Sequence, residues 1–247
     1  MRVASPAYLH SAVLAAEFRF LDMTFMGHKG EGCAEENQDR VLHRRIFSNE
    51  GELHLMAVAD GVSRCPRGGD VAQYIVEHLA NDPLLDSSRL PLAILVRKYL
   101  RELHEGFYQE FAGRDEMLES ASTLSVAILE NGVAHCFWVG DSPIFLAQEN
   151  HHRFVTSQIS TPDLCGRLLI DCFGASAPFQ TKYSKVQMAP GDVLMVATDG
   201  AIRSLEDISS MLNAYGPTQD LLDFIQRQAP KSDYFDDASL VLAQRLT

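Results

Sequence analysis

The sequence lacks the features that mark disulfide-stabilised, membrane-spanning and nucleic-acid-binding proteins. Its five cysteines are an odd number and form no Cys-x-x-Cys pair, which disfavours a disulfide framework or a zinc knot and predicts a reducing compartment. No stretch reaches the ~20 apolar residues that a membrane-spanning helix needs. Acidic residues outnumber lysine and arginine by 33 to 21, for a formal net charge of −12, which is the opposite of a basic footprint for nucleic acid. We therefore expect a cytoplasmic protein that acts without membrane or nucleic acid.

Several catalytic signatures are also missing. The glycine-containing loop at residues 27–32 lacks the Gly-Lys-Ser/Thr ending of a phosphate-binding P-loop. The chain has no Gly-x-Ser-x-Gly nucleophile elbow. Its nine histidines show no His-Glu-x-x-His spacing. These absences disfavour P-loop nucleotide hydrolysis, serine hydrolysis and zinc hydrolysis.

What the sequence does contain is two apolar strands that each end in Asp-Gly. One apolar run, residues 53–59, leads into Asp60 and a glycine, and another, residues 193–198, leads into Asp199 and a glycine. Apolar residues on both alternating faces are typical of strands in a sheet that is covered on both sides. A carboxylate at the end of such a strand needs a partner, because an unpaired buried charge is very unfavourable. The repeated pattern predicts that two carboxylates meet at one place.

The remaining pattern predicts one domain, residues 1–247, with an α+β layered architecture. Strands are predicted at residues 18–25, 40–47, 53–59, 122–129, 134–139, 144–147, 152–156, 182–188, 192–198 and 238–244, and helices at residues 71–79, 91–111, 205–214 and 218–228. The four strands between residues 122 and 156 are predicted to form one meander. The periodicity fails at about residues 157–172, which predicts a short surface flap. Antiparallel strands with helices outside them favour a sandwich over a βαβ winding.

Five aspartates are predicted to lie at or beside strand ends. They are Asp39, Asp60, Asp141, Asp199 and Asp236. Carboxylate oxygens suit hard cations such as Mg²⁺ and Mn²⁺, and two such ions about 4 Å apart can activate a water and hold a transferring phosphoryl group. An aspartate at a strand end is also a common cap or turn residue. From composition alone, both interpretations stay open.

A set of short strings in a fixed order carries a family resemblance. They are Asn37-Gln38-Asp39, Val58-Ala59-Asp60-Gly61, Gly68-Gly69, Ser122-Thr123, Val139-Gly140-Asp141-Ser142, Gly191-Asp192-Val193-Leu194, Thr198-Asp199-Gly200 and Asp236-Asp237-Ala238-Ser239. Over about residues 18–246 the chain resembles the metal-dependent serine/threonine protein phosphatases of type 2C, the PPM class, in their compact bacterial form. The resemblance implies a four-layer α-β-β-α sandwich with two mainly antiparallel sheets flanked by helices.

The resemblance also implies a role for each aspartate. Asp60 would bridge two Mn²⁺ or Mg²⁺ ions, and the Gly61 carbonyl would bind the second. Asp199 and Asp236 would complete the first site, so that Asp60, Asp199 and Asp236 form the catalytic set. Asp39 would act mainly through bound water, and Asp141 would share a third, weaker ion with Asp199. The implied reaction is attack of activated water on phosphoserine or phosphothreonine, without a phosphoenzyme.

The chain departs from the family pattern where phosphate is usually held. The position that commonly carries a phosphate-binding arginine is Ala34, and the loss of a bidentate guanidinium should weaken phosphate capture. Nearby cations that would substitute are Lys29, Arg64 and Arg67, each of which also fits a solvated loop charge. The residue that holds the phosphate is therefore left unknown at this stage.

Two functions follow from these observations. The first is a Mg²⁺- or Mn²⁺-dependent phosphatase that acts on a phosphorylated bacterial regulatory protein and opposes the action of a serine/threonine kinase. The second is a catalytically weak or inactive module that binds metal and a phosphoprotein partner. The intact aspartate set favours the enzyme, and Ala34 favours the binding module. The sequence does not identify the phosphoprotein, the metal or the oligomeric state.

Overall fold

The computed structural model describes residues 16–25, 36–48, 51–81, 90–162, 164–165, 168–174, 179–203, 207–228 and 236–247. The proposed phosphate-site positions Lys29 and Ala34 lie outside these residues. In the described part of the chain, no helix is both long enough and apolar enough to cross a membrane.

One of two five-stranded antiparallel sheets, sheet I, contains the first apolar strand that ends in Asp-Gly. Its strand order is β12-β6-β5-β3-β2. The strands are β2 (Asp39–Ser48), β3 (Gly51–Asp60), β5 (Leu124–Glu130), β6 (Val133–Val139) and β12 (Lys182–Gln187). The predicted strands at residues 40–47 and 53–59 form a hairpin, because β2 pairs with β3 in antiparallel register from Asp39 opposite Asp60 to Ser48 opposite Gly51.

The other large sheet, sheet II, contains the second apolar strand that leads into Asp-Gly. Its order is β1-β14-β13-β7-β8. The strands are β1 (Phe18–Phe25), β7 (Ile144–Asn150), β8 (Arg153–Gln158), β13 (Val193–Ala197) and β14 (Ala238–Arg245). The first and last described strands, β1 and β14, pair along their whole length. Two predicted strands that lie more than 200 residues apart in the sequence are thereby neighbours in one sheet.

The prediction of one meander between residues 122 and 156 is wrong. The chain leaves sheet I after β6 and enters sheet II at β7. The link contains Gly140 at φ +96°, a conformation that few other residues adopt. The predicted strand at 122–129 is also interrupted at Thr123, which separates β4 (Ala121–Ser122) from β5. The link between the sheets places Asp141 at the end of the sandwich.

The predicted flap contains two short strands that the sequence pattern did not indicate, and a third follows it. They are β9 (Leu164–Cys165), β10 (Leu168–Leu169) and, after the flap, β11 (Phe173–Gly174). The strands β9 and β10 pair with each other, and β11 pairs with β4. Two-residue strands are too short to show a periodicity, so only tertiary contacts define them.

Helices cover the outer face of each sheet and complete four layers. The helices are α1 (Gly68–Asn81), α2 (Leu92–Glu110), α3 (Asp115–Leu118), α4 (Asp199–Arg203), α5 (Ile208–Tyr215) and α6 (Gln219–Gln228). One apolar cluster lies between sheet I and α1 and α2, a second lies between sheet II and α5 and α6, and a third lies between the sheets. Both sheets are therefore covered on both faces, as their apolar strands predicted.

Candidate metal centre

The strand register brings two of the predicted site residues together. Asp39 begins β2 and lies directly opposite Asp60, the last residue of β3. The Asp39 side chain is buried, with 2% of its surface exposed, and its Oδ2 accepts a hydrogen bond from Thr198 Oγ1 at 3.0 Å. Since Thr198 follows β13 of sheet II, this hydrogen bond directs the Asp39 carboxylate into the space between the sheets.

The other three aspartates reach the same end of the sandwich from different elements. Asp199 is the first residue of α4, directly after β13, and Asp236 lies just before β14. Because β13 and β14 are antiparallel neighbours, the end of one lies beside the start of the other. Asp141 lies in the link between β6 and β7. A shared sheet edge and a crossing between sheets therefore position all three.

The charge around Asp60 shows that the five carboxylates lie within electrostatic reach of one another. Burial raises the pKa of Asp60 well above its ordinary value, and four neighbouring negative charges raise it further. In decreasing order of effect these neighbours are Asp39, Asp199, Asp236 and Asp141. Each acts in the same direction because ionising one carboxylate beside another is unfavourable. Asp60 is the centre of an acidic cluster.

Asp39 experiences the same environment. Its pKa is raised from 3.8 to about 7, first by burial and then by the charge of Asp237, with a smaller contribution from Asp236. The hydroxyl groups of Ser239 and Thr198 act in the opposite direction and favour the ionised form. Thr198 Oγ1, which donates to Asp39 Oδ2, holds the carboxylate in place without supplying the positive charge that the cluster needs.

A hydroxyl network fixes the backbone around Asp60. The Asp60 N–H donates to Thr123 Oγ1 at 3.1 Å, and Ser122 Oγ donates to the Asp60 carbonyl at 3.0 Å. Thr123 Oγ1 in turn lies 2.5 Å from Ser142 Oγ, next to Asp141. The interruption between β4 and β5 places these hydroxyls where a regular strand would not, and thereby links the Asp60 and Asp141 positions.

Gly61 supports close packing of the backbone and leaves an oxygen available. Its N–H donates to the Gln38 carbonyl at 3.2 Å, and a Cβ at Gly61 would overlap the backbone of Gly68 and Gly69. No N–H or O–H among the described residues donates to the Gly61 carbonyl. This carbonyl therefore fits the ligand role that the resemblance implied.

The donor set fits hard divalent cations. Among the described residues, the charged groups that shift the pKa of Asp60 are all carboxylates, and carboxylate and carbonyl oxygens are the ligands that Mg²⁺ and Mn²⁺ prefer. Within the described ranges, no three side chains of His, Cys, Asp or Glu already form a metal-ligand group. The carboxylates are near enough to repel one another, and a cation is the group that would draw them together.

The two arginines that the sequence offered as phosphate ligands are both exposed. Arg64 is exposed in the loop after β3. Arg67 is also exposed, and its Nε donates to the Asp70 carboxylate. Sequence reasoning passed over Arg40, which follows Asp39 and is held by three hydrogen bonds. Its only signal in the sequence was its place directly after the Asn37-Gln38-Asp39 string.

The structure also adds Asp237 to the neighbourhood of the cluster. Its side chain is 3% exposed, and its Oδ2 accepts from the Gln38 N–H at 2.8 Å. This contact ties the start of β2 to the start of β14, and so ties Asp39 to Asp236. The doubled aspartate in the Asp236-Asp237 string was the sequence signal that could have identified it.

Comparisons with known proteins agree with this architecture. The family model described as protein phosphatase 2C matches residues 27–233. The S. agalactiae serine/threonine phosphatase is 15% identical, with a TM-score of 0.74 over 92% of this chain and 99% of that one. Serine/threonine phosphatase Stp1 from Staphylococcus aureus is 16% identical, with a TM-score of 0.76 over 94% and 96%.

A third solved structure contains metal. The catalytic domain of serine threonine protein phosphatase PstP, in complex with two manganese ions, is 17% identical and has a TM-score of 0.71 over 93% of this chain and 99% of that one. At these identities the likeness concerns the fold. No sequence among the curated proteins matches the chain.

Proposed function

The chain belongs to the protein phosphatase 2C family, and from this membership we propose that it hydrolyses phosphoserine or phosphothreonine on a regulatory protein. The observation that carries the proposal is the cluster of Asp39, Asp141, Asp199 and Asp236 around Asp60, in which the described charges that shift the pKa of Asp60 are all negative. A cluster of this kind is stable when divalent cations neutralise it.

In the proposed site, the residues of the chain hold the reacting groups. Asp60 and the Gly61 carbonyl would hold two Mn²⁺ or Mg²⁺ ions, Asp199 and Asp236 would complete the first site, and Asp39 would act through bound water. Ions held there lower the pKa of a water and neutralise phosphoryl charge. Thr123 and Ser142 fix the backbone behind Asp60, so that the carboxylate keeps its position during the reaction.

The partner in this proposal is a phosphorylated protein, with an opposing serine/threonine kinase in the same compartment, which we take to be the cytoplasm. The strongly acidic chain is consistent with a protein substrate and not with a nucleic-acid phosphodiester. Asp141, shared with Asp199, is the place for a third and weaker ion.

One observation favours a second function. Ala34 stands where the family commonly has a phosphate-binding arginine, so a module that binds metal and a phosphoprotein without fast turnover is the alternative. Ala34→Arg is expected to lower the KM for a phosphothreonine peptide. An unchanged KM would mean that another cation of the chain already holds the substrate.

The proposal is tested by phosphate release from a phosphothreonine peptide with Mn²⁺, with and without chelator. The matched variant is Asp199→Asn, which removes one charge and keeps the shape of the side chain. We expect metal-dependent release that is lost with chelator and lost in Asp199→Asn, while circular dichroism shows an unchanged fold. Wild-type turnover by Asp199→Asn with metal still bound would contradict the site assignment.

A further inference from the structure

A cavity of about 220 Å³ lies beside the carboxylate cluster and is not part of it. It is formed where the start of β2 meets the loop before α1 and the first turn of that helix. Among the residues that line it are Glu36, Gln38, Arg40, Arg67, Gly69 and Asp70. Since α1 packs on the outer face of sheet I, the cavity opens on that face and not between the sheets.

Arg40 supplies a fixed positive charge to the cavity wall. Its Nε donates to Gln73 Oε1 at 2.5 Å, and its Nη1 donates to the carbonyls of Asn37 and Asp39, each at 2.7 Å. No acceptor among the described residues contacts its Nη2. Three hydrogen bonds therefore hold the guanidinium plane in place while two N–H donors remain available. A guanidinium fixed in this way is preorganised to bind an oxyanion.

Gln38 supplies an independent sign that the cavity takes a ligand. Its side chain is only 8% exposed, yet its Oε1 has no hydrogen-bond partner. No described group bonds to its Nε2 either. A buried amide oxygen without a partner is unfavourable, and a half-turn about the last side-chain bond places the amide nitrogen, a donor, at the position of that oxygen. A bound oxyanion would accept from the Gln38 Nε2 and satisfy it.

The start of α1 contributes a further donor on the same side. In the described residues, the backbone N–H group of Gly69, which lines the cavity, has no acceptor. The first turn of a 14-residue helix carries the positive end of the helix dipole and favours anions. The opposing charges are limited, because Asp70 is paired with Arg67 and Glu36 is exposed to solvent at the rim, where its repulsion is screened.

We propose that this cavity is a subsite for a second oxyanion of the substrate, a phosphoryl or carboxylate group close to the phosphoresidue that is hydrolysed. The inference rests on the proposed phosphatase function. Neighbouring residues of a strand face opposite sides of a sheet, so Arg40 contacts Gln73 of α1 whereas Asp39 contacts Thr198 of sheet II. One phosphoryl group cannot bind both. The substrate class is then a phosphoprotein segment that is acidic or multiply phosphorylated.

The subsite is tested with a panel of phosphothreonine peptides. In the panel, one glutamate or one phosphoserine moves through the three positions on either side of the phosphothreonine, and the alanine peptide is the reference. At the position that reaches the subsite, we expect KM to fall about tenfold for phosphoserine and about threefold for glutamate. In Arg40→Gln, the ratio of the reference KM to the anionic KM is expected to fall to about one.

The matched control is Arg101→Gln, which removes the same charge from an exposed position of α2 and should keep the preference. A preference that survives in Arg40→Gln, or that is lost equally in Arg101→Gln, would overturn the subsite. A preference for both anions assigns it to oxyanions in general, and a preference for phosphoserine alone assigns it to the phosphoryl dianion. If Arg40→Gln does not fold, Gln38→Met, which removes the amide and keeps its volume, gives the same test.

Binding measurements separate this inference from the proposed activity. The same peptides, with a non-hydrolysable phosphonate in place of the phosphothreonine ester, are titrated while fluorescence anisotropy reports binding. An anion preference in binding without hydrolysis would support the subsite and contradict the enzyme. Hydrolysis without any anion preference would contradict the subsite and leave the enzyme in place.

Discussion

The β2–β3 hairpin has two regions that place titratable side chains between the sheets. The two regions differ in how these buried side chains are stabilised. At one end, Asp39 faces Asp60. Further along, His54 is 8% exposed and lies near Phe20, with ring centroids 4.7 Å apart. Its Nε2 lies 3.0 Å from Glu52 Oε1. The histidine has an aromatic neighbour and a hydrogen-bond acceptor within the chain.

This difference in stabilisation explains why the carboxylate region, and not the histidine region, is the candidate metal site. Burial lowers the pKa of His54, with the Glu52 carboxylate acting in the opposite direction. A neutral imidazole is therefore available near pH 7, so this region is satisfied without a ligand. Burial and neighbouring charges raise the pKa of Asp60, and among the described residues the charges that raise it all belong to carboxylates. The histidine region is stabilised by contacts within the chain, whereas the carboxylate region would be stabilised by a bound cation.

The largest expected effect comes from removing the central charge of the carboxylate region. Asp60→Asn should lower phosphatase activity by about a thousandfold, because the bridging ligand is lost. In the presence of chelator the same variant should be more stable than the wild type by about 1 kcal/mol, since one of several repelling charges is gone. Phosphate release and thermal unfolding in chelator measure the two quantities. A variant that is destabilised in chelator would mean that the carboxylates do not repel one another.

A substitution at Gly200 should disrupt the packing of the backbone at the carboxylate region by steric overlap. A Cβ at Gly200 would overlap the backbone oxygen of Asp237, so Gly200→Ala should destabilise the protein by about 3 kcal/mol. The matched control is Gly106→Ala within α2, where the added Cβ would lie 3.6 Å from Tyr74 Oη and should stabilise the helix by up to about 1 kcal/mol. Urea unfolding compares them. Equal effects of the two substitutions would contradict the packing at Gly200.

The two regions should respond to pH in opposite directions when metal is removed. The pKa of Asp39 is raised to about 7 from 3.8, so its contribution to stability is present below pH 3.8 and is lost as the pH rises through 7. The free energy of unfolding should fall by about 2 kcal/mol between pH 5 and 7. The pKa of His54 is lowered from 6.5, so its contribution is present above pH 6.5 and is lost as the pH falls below its folded value.

Two variants separate these contributions in thermal unfolding with chelator. Asp39→Asn should remove the loss of stability between pH 5 and 7 and leave the acid side unchanged. His54→Phe should reduce the loss on the acid side, a change of roughly 2 °C in Tm, and leave the neutral side unchanged. If either variant flattened both sides, the two regions would not titrate independently.

The local patterns of the sequence predicted most elements, and non-local contacts explain the rest. Long apolar runs such as β3 and β13 were found because burial on both faces shows in the sequence. The pairing of β1 with β14 and the crossing between sheets at Asp141 depend on contacts between distant segments, which no local period records. The helix α4 has five residues and is too short to show a helical stripe.

The candidate site was predicted in composition but not in geometry. The five aspartates were named from strand ends and from the family resemblance. The Asp39–Asp60 register, the hydroxyl support from Thr123 and the role of Asp237 depend on how strands pair and were not predictable from spacing. The position of Ala34 lies outside the described residues, so its consequence for phosphate binding stays a prediction.

The central claim is that Asp60 joins two cation sites while the rest of the hairpin is complete without them. Calorimetric titration with Mn²⁺ tests it directly. The wild type and His54→Phe should each bind two ions per chain, and Asp60→Asn should bind both at least about 100-fold more weakly. Two ions bound by Asp60→Asn with wild-type affinity would contradict the claim.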